Sequence, residues 1–207
     1  MSEPIRTAAE VVAALEAVAD PAETVKIRRR VAEREPVIGV RMGALFDIAA
    51  RATGIPDGEL DALFGHAAYE PRLVAFCILD FRARKRLAPE ERADLARVYL
   101  ERRAAITVWD MVDRAAPRVV GWPLLIGAFG GWDAERGETG LLGELAADAN
   151  FLMRRTAITA PLWFVKRGSD ADVALALTIA DGLDGDPEPL VRSAVKTYRR
   201  HAERRLG

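Results

Sequence analysis

The sequence has too few cysteine and histidine residues for disulfide bonds or a structural zinc site. It contains one cysteine, Cys77, and two histidines, His66 and His201. A single cysteine cannot form an internal disulfide, and three such residues cannot fill the four positions of a structural zinc site. We therefore expect a fold that contains neither disulfide bonds nor a bound metal.

Long apolar runs and an export signal are also missing. The longest stretch without a charged residue runs from Val119 to Trp132 and is interrupted by glycine and proline. Such a stretch is too short to cross the roughly 30 Å of bilayer hydrocarbon. The segment Met1–Arg6 has neither a basic start followed by an apolar run nor a small-residue cleavage site. The sequence predicts a cytoplasmic protein that does not enter membranes.

Charge of one sign is not in excess, since 30 Lys and Arg stand against 31 Asp and Glu in 207 residues. The resulting net charge of −1 does not by itself indicate a nucleic-acid partner. Whether the chain can bind nucleic acid therefore depends on where its basic residues cluster. Half of the residues are hydrophobic, which is typical of a folded globular chain.

Nearly every segment favours a helix, because Ala, Leu, Arg and Glu dominate and period-two alternation is almost absent. Capping boxes at Thr7–Glu10 and Ser169–Asp172, and acidic residues before proline at Asp20 and Asp186, mark helix starts. We predict helices over residues 7–19, 21–34, 41–53, 57–65, 70–85, 89–104, 107–120, 122–129, 140–147, 149–166, 170–182 and 187–205.

The short connections between these helices favour stacked antiparallel pairs. We therefore predict an all-α fold, an α-α superhelix of the HEAT-like or ARM type with about ten to twelve helices, as a single domain over residues 1–207. A globular all-α fold stays open because no strict repeat is visible.

Several apolar and aromatic residues are interpreted as core. Cys77 lies on an apolar helix face and has no base nearby in sequence, so packing is favoured over a nucleophilic role. Trp163 is predicted to be core, and Pro161 is predicted to kink or break its helix. For Trp122 and Trp132 the sequence leaves two alternatives open, loop anchors or exposed aromatics.

The most informative local pattern is the pair Trp109 and Asp113. Their four-residue spacing on a predicted helix makes an indole and a carboxylate project side by side. Taken alone, a pair at this common spacing is better explained by a core tryptophan and a solvated helix acid than by a functional site. Its meaning depends on the rest of the chain.

Five segments in order resemble the AlkD-like DNA alkylation repair family, the HEAT-repeat DNA glycosylases. These segments are Val37–Arg41, Glu70–Ala75, Trp109–Asp113, Asn150–Ile158 and Val191–Val195. The resemblance covers about residues 25–205, nearly the whole chain.

The resemblance implies a helical superhelix whose concave face holds duplex DNA and which excises positively charged N3- or N7-alkylated purines. It implies that Trp109 contacts the DNA backbone beside the lesion and that Asp113 lies near the sugar and the catalytic water. It places Arg155 in the same cleft, and it implies that the lesion is processed without being flipped into a pocket.

The residue types suit this chemistry. An alkylated purine already carries a positive charge, so its departure needs little acid catalysis, and one carboxylate can stabilise an oxocarbenium-like sugar and orient water. An aromatic face beside the cationic nucleotide adds about 0.5 to 2 kcal/mol. No cofactor or metal is needed. The expected partner is duplex DNA with alkylated bases, and we expect a monomer.

The last helix departs from the family pattern. The resemblance implies a second aromatic residue where this chain has Thr197, and Tyr198 lies about 100° further round the helix. Either Tyr198 substitutes after a small rotation or the second aromatic platform is missing.

Basic residues cluster towards the C-terminus. Residues 187–207 carry six Arg and Lys against two Glu, which makes phosphate contact there reasonable, although such runs are often only solvated helix faces. The predicted DNA-binding residues are Arg154, Arg192, Lys196, Tyr198, Arg199 and Arg200.

Two other functions remain open from the sequence. A HEAT-like module that binds distorted duplex DNA without turnover would fit Thr197 and the near-neutral charge. A protein-binding solenoid with no nucleic-acid role would also fit the repeated helices.

Overall fold

The computed structural model describes residues 3–207; Met1 and Ser2, which begin the segment inspected for an export signal, lie outside them. In the described residues the chain is helical, and its only β pairing is an isolated bridge between Asp133 and Glu138. The all-α prediction is confirmed.

The α-helices follow one another with short connections. They are α1 (Ala8–Glu16), α2 (Pro21–Arg28), α3 (Met42–Arg51), α4 (Asp57–Phe64), α5 (Tyr69–Ala83), α6 (Pro89–Glu101), α7 (Trp109–Ala116), α8 (Trp122–Leu125), α9 (Gly140–Ala146), α10 (Phe151–Thr159), α11 (Leu162–Arg167), α12 (Asp170–Gly182) and α13 (Pro189–Leu206). A π-helical turn, Pro117–Gly121, joins α7 to α8.

Three of the four predicted helix starts are confirmed. Thr7 and Ser169 form capping boxes, and the Asp20 carboxylate accepts a hydrogen bond from the backbone N–H of Ala22 at 2.8 Å. The predicted cap at Asp186 is wrong, because the N-cap of α13 is Glu188. The Asp186 carboxylate is instead engaged by Arg154, a partner distant in sequence.

The first compact unit comprises the described residues up to Lys85 together with Ala104–Met111. Helix α5 lies at its centre and packs against α1, α3 and α4. The Cys77 side chain is fully buried within α5, so the predicted packing role is confirmed. The rings of Phe64 and Phe76 meet edge to face at 5.0 Å and join α4 to α5.

The second compact unit comprises Arg86–Arg103 and Val112–Gly207. Its helix α10 packs against α9, α12 and α13, while α6 packs against the π-helical turn and α8. The helix predicted over residues 149–166 ends at Thr159 and resumes at Leu162, so Pro161 breaks it as expected.

Of the tryptophans of the second unit, Trp132 and Trp163 are buried and Trp122 is half-buried. Trp163 is buried, as predicted, and its ring stacks on that of Trp122 with 4.8 Å between centroids. Trp122 also lies beneath the guanidinium of Arg92. Trp132 is buried, and its Nε1 donates to Asp172 at 2.9 Å. Trp122 and Trp132 are therefore both anchored, which resolves the open alternatives.

Residues 3–207 contain neither a membrane-spanning helix nor a cluster of metal-ligating side chains. No helix in this range is long and apolar enough to cross a membrane. No three His, Cys, Asp or Glu side chains in the same range are grouped so that they could hold a metal ion.

Candidate active site

Helix α7 carries the predicted pair Trp109 and Asp113, and the two compact units divide within it. Trp109–Met111 belong to the first unit and Val112 onwards to the second. Trp109, the first residue of α7, is partly exposed.

A buried acid in the first unit fixes the first turn of α7. Asp110 accepts a short hydrogen bond from the hydroxyl of Tyr69, and Arg30 Nε lies 3.1 Å from the same carboxylate oxygen. Burial raises the pKa of Asp110 above its usual value, and burial likewise raises the pKa of Tyr69. The turn that begins with Trp109 is therefore tied to α5 through Tyr69.

A second polar cluster in this unit holds the residue that precedes α7 by two positions. Thr107 Oγ1 donates to Glu35 at 2.8 Å, and Arg72 from α5 forms an ion pair with the same Glu35 carboxylate. Arg72 also donates to Thr107 at 3.3 Å. Because Thr107 and Asp110 are both held, the backbone on either side of Trp109 is fixed.

Two of the five segments that carry the family resemblance meet at a buried carboxylate. Glu70 is fully buried and accepts hydrogen bonds from the backbone N–H groups of Ile38, Gly39 and Val40 at 2.9, 2.7 and 3.4 Å. Gly39 has φ +95°, and a Cβ there would lie 2.1 Å from Thr24 Oγ1. Only glycine fits this turn.

In the second unit, Asp113 and Arg155 form a bidentate ion pair. Arg155 Nε donates to one carboxylate oxygen at 2.8 Å and Nη2 to the other at 2.7 Å. The Arg155 side chain is 8% exposed, whereas that of Asp113 is 36% exposed. The remaining arginine nitrogen, Nη1, donates a short hydrogen bond to the backbone carbonyl of Leu190. A buried cation thus holds a carboxylate that solvent can reach.

The helix changes its geometry one turn after Asp113, where α7 ends at Ala116. Pro117 has no N–H, so it cannot bond to the Asp113 carbonyl four residues earlier, and a π-helical turn follows. Such local widenings of a helix are frequent at functional sites.

The ion pair leaves Asp113 chemically useful. A carboxylate has about four lone-pair sites, and bidentate pairing with a guanidinium occupies only two of them. The others can accept a hydrogen bond from water or lie beside a developing positive charge. The opposed arginine also fixes the orientation of the carboxylate, which favours charge stabilisation without reorganisation.

Three of the predicted DNA-binding arginines are engaged within the second unit. Arg154 forms a bidentate ion pair with Asp186, Arg192 donates to the carbonyls of Asp186 and Pro187, and Arg199 pairs with Asp181 and Asp184. The hydrogen bonds from Arg154 hold the pKa of Asp186 below its usual range. These arginines have structural partners that compete with phosphate.

The predicted DNA contact at Tyr198 does not fit the structure. Its ring is fully buried, and its hydroxyl donates to the carbonyl of Val173 at 3.1 Å. Tyr198 therefore cannot replace the aromatic residue that the family resemblance implies at Thr197. Thr197 itself is partly exposed, so this face of α13 offers no aromatic ring at that position.

Lys196 and Arg200 are the two predicted DNA-binding residues that stay available. Both are exposed on α13, and within residues 3–207 neither has an ion-pair partner. Their four-residue spacing puts them on one face of the helix. Arg204, one further turn along, extends the same stripe.

Sequence reasoning missed the buried polar residues of the first unit. Glu35, Arg72 and Asp110 all have charged side chains in a largely buried environment. Apolar periodicity cannot reveal such residues, because it assigns charged side chains to the solvent. The one available signal was that Arg72 and Asp110 lie inside two of the five segments that carry the family resemblance.

Comparison with known proteins gives one result. The family model described as DNA alkylation repair enzyme matches residues 11–202. Comparison with curated proteins gave no match, and comparison with solved structures gave none either. The match covers nearly the whole chain and includes helices α7 and α10, which carry Asp113 and Arg155. The chain therefore belongs to the DNA alkylation repair enzyme family.

Proposed function

We propose that this protein is a monofunctional DNA glycosylase that excises positively charged N3- or N7-alkylated purines from duplex DNA. The observation that carries the proposal is the solvent-accessible Asp113 carboxylate held in a bidentate pair by the buried Arg155. Cleavage of the glycosidic bond leaves positive charge on the sugar, and a fixed carboxylate stabilises that charge.

Each proposed catalytic residue has a separate part in this reaction. Asp113 stabilises the oxocarbenium-like sugar and accepts a hydrogen bond from the attacking water. Arg155 holds the Asp113 carboxylate in one orientation through the bidentate pair. Trp109 supplies an aromatic face for the cationic nucleotide, an interaction worth about 0.5 to 2 kcal/mol. The glycosidic bond breaks and its electron pair leaves with the purine, which becomes neutral; water then adds to the sugar carbon and releases one proton to solvent, so no cofactor is consumed.

The proposed DNA-binding surface is narrower than the sequence predicted. It consists of Lys196 and Arg200 on the exposed stripe of α13, which can contact successive phosphates. Arg154, Arg192 and Arg199 are engaged by internal partners, and the buried Tyr198 is not part of it.

The test is release of free base. Purified protein is incubated with duplex DNA methylated to contain 7-methylguanine and 3-methyladenine, and the liberated bases are separated by chromatography. The proposal expects release well above the spontaneous rate, with abasic sites equal in number to the bases freed. Release no faster than without protein rejects it.

A second candidate function is a DNA-binding module without turnover. It is favoured by Thr197 in place of an aromatic residue and by the burial of Tyr198. Salt-dependent binding to methylated or distorted duplex, without base release, supports this function over the first. Lack of affinity for DNA at low salt argues against both and points to a protein-binding solenoid.

The exposed stripe on α13 makes a prediction about salt dependence. We expect Lys196→Ala and Arg200→Ala each to reduce the slope of log K against log salt by about one, because each removes one phosphate contact. Arg205→Ala is the matched control, since Arg205 also lies on α13 but pairs with Asp170, the first residue of α12. Fluorescence anisotropy of labelled duplex over a salt series measures the slopes, and equal slopes for all proteins would contradict the prediction.

A further inference from the structure

Two arginines predicted to bind DNA converge instead on one turn of the second unit, residues 186–190. Arg154 donates to both carboxylate oxygens of Asp186 at 2.6 and 3.0 Å. Arg192 donates to the carbonyls of Asp186 and Pro187 at 2.5 and 2.9 Å. The Asp186 carboxylate also accepts from the backbone N–H of Glu188 at 2.8 Å. The side chain of Asp186, at the centre of these contacts, is only 3% exposed.

The same turn ends at the proposed active site. Leu190 is its last residue, and the Leu190 carbonyl accepts the hydrogen bond from Arg155 Nη1. Arg155 therefore has three anchor points, the two oxygens of Asp113 and the Leu190 carbonyl. A planar guanidinium held at three points has one orientation, whereas a purely bidentate pair can still swing as a unit.

Arg154 and Arg155 are adjacent residues of α10. Arg154 holds the start of the 186–190 turn, and Arg155 contacts its end and Asp113. Adjacent helical residues point about 100° apart, so one reaches Asp186 and the other reaches Asp113 and Leu190. Arg154 also donates to the carbonyls of Asp148 and Ala149, which fixes its own guanidinium. The turn is thus locked to the same helix that carries the active-site arginine.

We propose that Asp186 is a positioning residue for Asp113, acting through the 186–190 turn, the Leu190 carbonyl and Arg155. The effect on base release rests on the proposed function; the effect on Arg155 does not. Loss of the Asp186 contacts frees the turn, withdraws the Leu190 carbonyl from Nη1 and lets the Asp113–Arg155 pair move. Small displacements of a catalytic group cost rate more than affinity.

The test variant is Asp186→Asn, which keeps the shape of the side chain and removes its charge. At saturating protein we expect the single-turnover rate of base release to fall about tenfold. We expect the Kd for methylated duplex to change less than about twofold, because the Asp186 side chain is only 3% exposed and is already paired with Arg154. The ¹⁵N–¹H resonance of Arg155 Nε is expected to shift and to exchange faster with water.

Arg154→Lys is the second variant, and Asp181→Asn is the control. Lysine retains the charge but cannot make the bidentate contact. Arg154→Lys should therefore lower the rate of base release and shift the Arg155 resonance, as Asp186→Asn does. Asp181 pairs with Arg199 on the surface of α13 and does not contact the turn, so its variant should behave as wild type. Circular dichroism establishes the temperature below which all variants are folded.

The outcomes separate this proposal from the proposed function. An unchanged Arg155 resonance with an unchanged rate in both variants overturns the positioning role. A weakened Kd with an unchanged rate at saturation also overturns it, since the turn would then act in DNA binding. If the wild-type protein releases no base, the proposed function fails, and the Arg155 resonance alone decides whether Asp186 positions the ion pair.

Discussion

Replacing Asp113 with asparagine is expected to lower the rate of base release by at least about 100-fold, the scale seen when a preorganised charge-stabilising group is lost. Asparagine matches aspartate in shape and can still accept a hydrogen bond, but it carries no charge to oppose the developing positive charge on the sugar. Affinity for methylated duplex should change less than about threefold, because the carboxylate acts on the transition state. Single-turnover kinetics with methylated DNA measures the rate.

The control for this experiment is Asp94→Asn. Asp94 also forms an ion pair with an arginine, Arg97, but on an exposed face of α6. Its variant should retain the wild-type rate, which separates loss of the Asp113 charge from general loss of an ion pair. A fully active, folded Asp113→Asn variant would remove Asp113 from the catalytic site.

Replacing Glu70 with alanine is expected to destabilise the first unit by about 3 to 5 kcal/mol. The buried Glu70 carboxylate accepts three backbone N–H groups, and alanine leaves those donors without partners away from water. For a chain of this size the loss corresponds to a decrease in Tm of about 10 °C, measured by calorimetry. Glu70→Gln keeps one acceptor oxygen, so its Tm should lie between those of the wild type and Glu70→Ala.

The matched control is Glu23→Ala. Glu23 is also a first-turn helix acid, but its partner is the exposed Lys26, three residues away. Because Lys26 is 62% exposed, water competes for this pair and its contribution is small, so Tm should change by no more than about 2 °C. A Glu70→Ala variant as stable as the Glu23→Ala variant would show that the backbone donors of Ile38–Val40 find other partners.

The helices were predictable because their signals are local. Thr7, Ser169 and Asp20 cap helices whose first turns follow immediately in sequence. Asp186 has the same local pattern, an acid before proline, yet it caps nothing. Its carboxylate is taken by Arg154, 32 residues away, and sequence inspection of the segment cannot foresee such a partner.

The candidate site was predictable in part. The family resemblance singled out both Asp113 and Arg155, and the structure pairs them directly. It did not indicate that the neighbouring Arg154 is engaged elsewhere or that Tyr198 is buried. On a helix a one-residue step changes the facing direction by about 100°, so net charge along a segment does not tell which side chains reach the surface.

The paired arginines of α10 have a consequence for how the length of the chain can vary among related proteins. Because Arg154 and Arg155 must face different partners at once, inserting or deleting one residue between Asn150 and Arg155 would rotate both away together. The glycine-containing connection from Gly127 to Gly140 is anchored through Trp132, but its residues 135–138 are exposed and leave room for a change in length. Insertions and deletions should therefore accumulate in that connection, while the spacing from Asn150 to Arg155 stays constant.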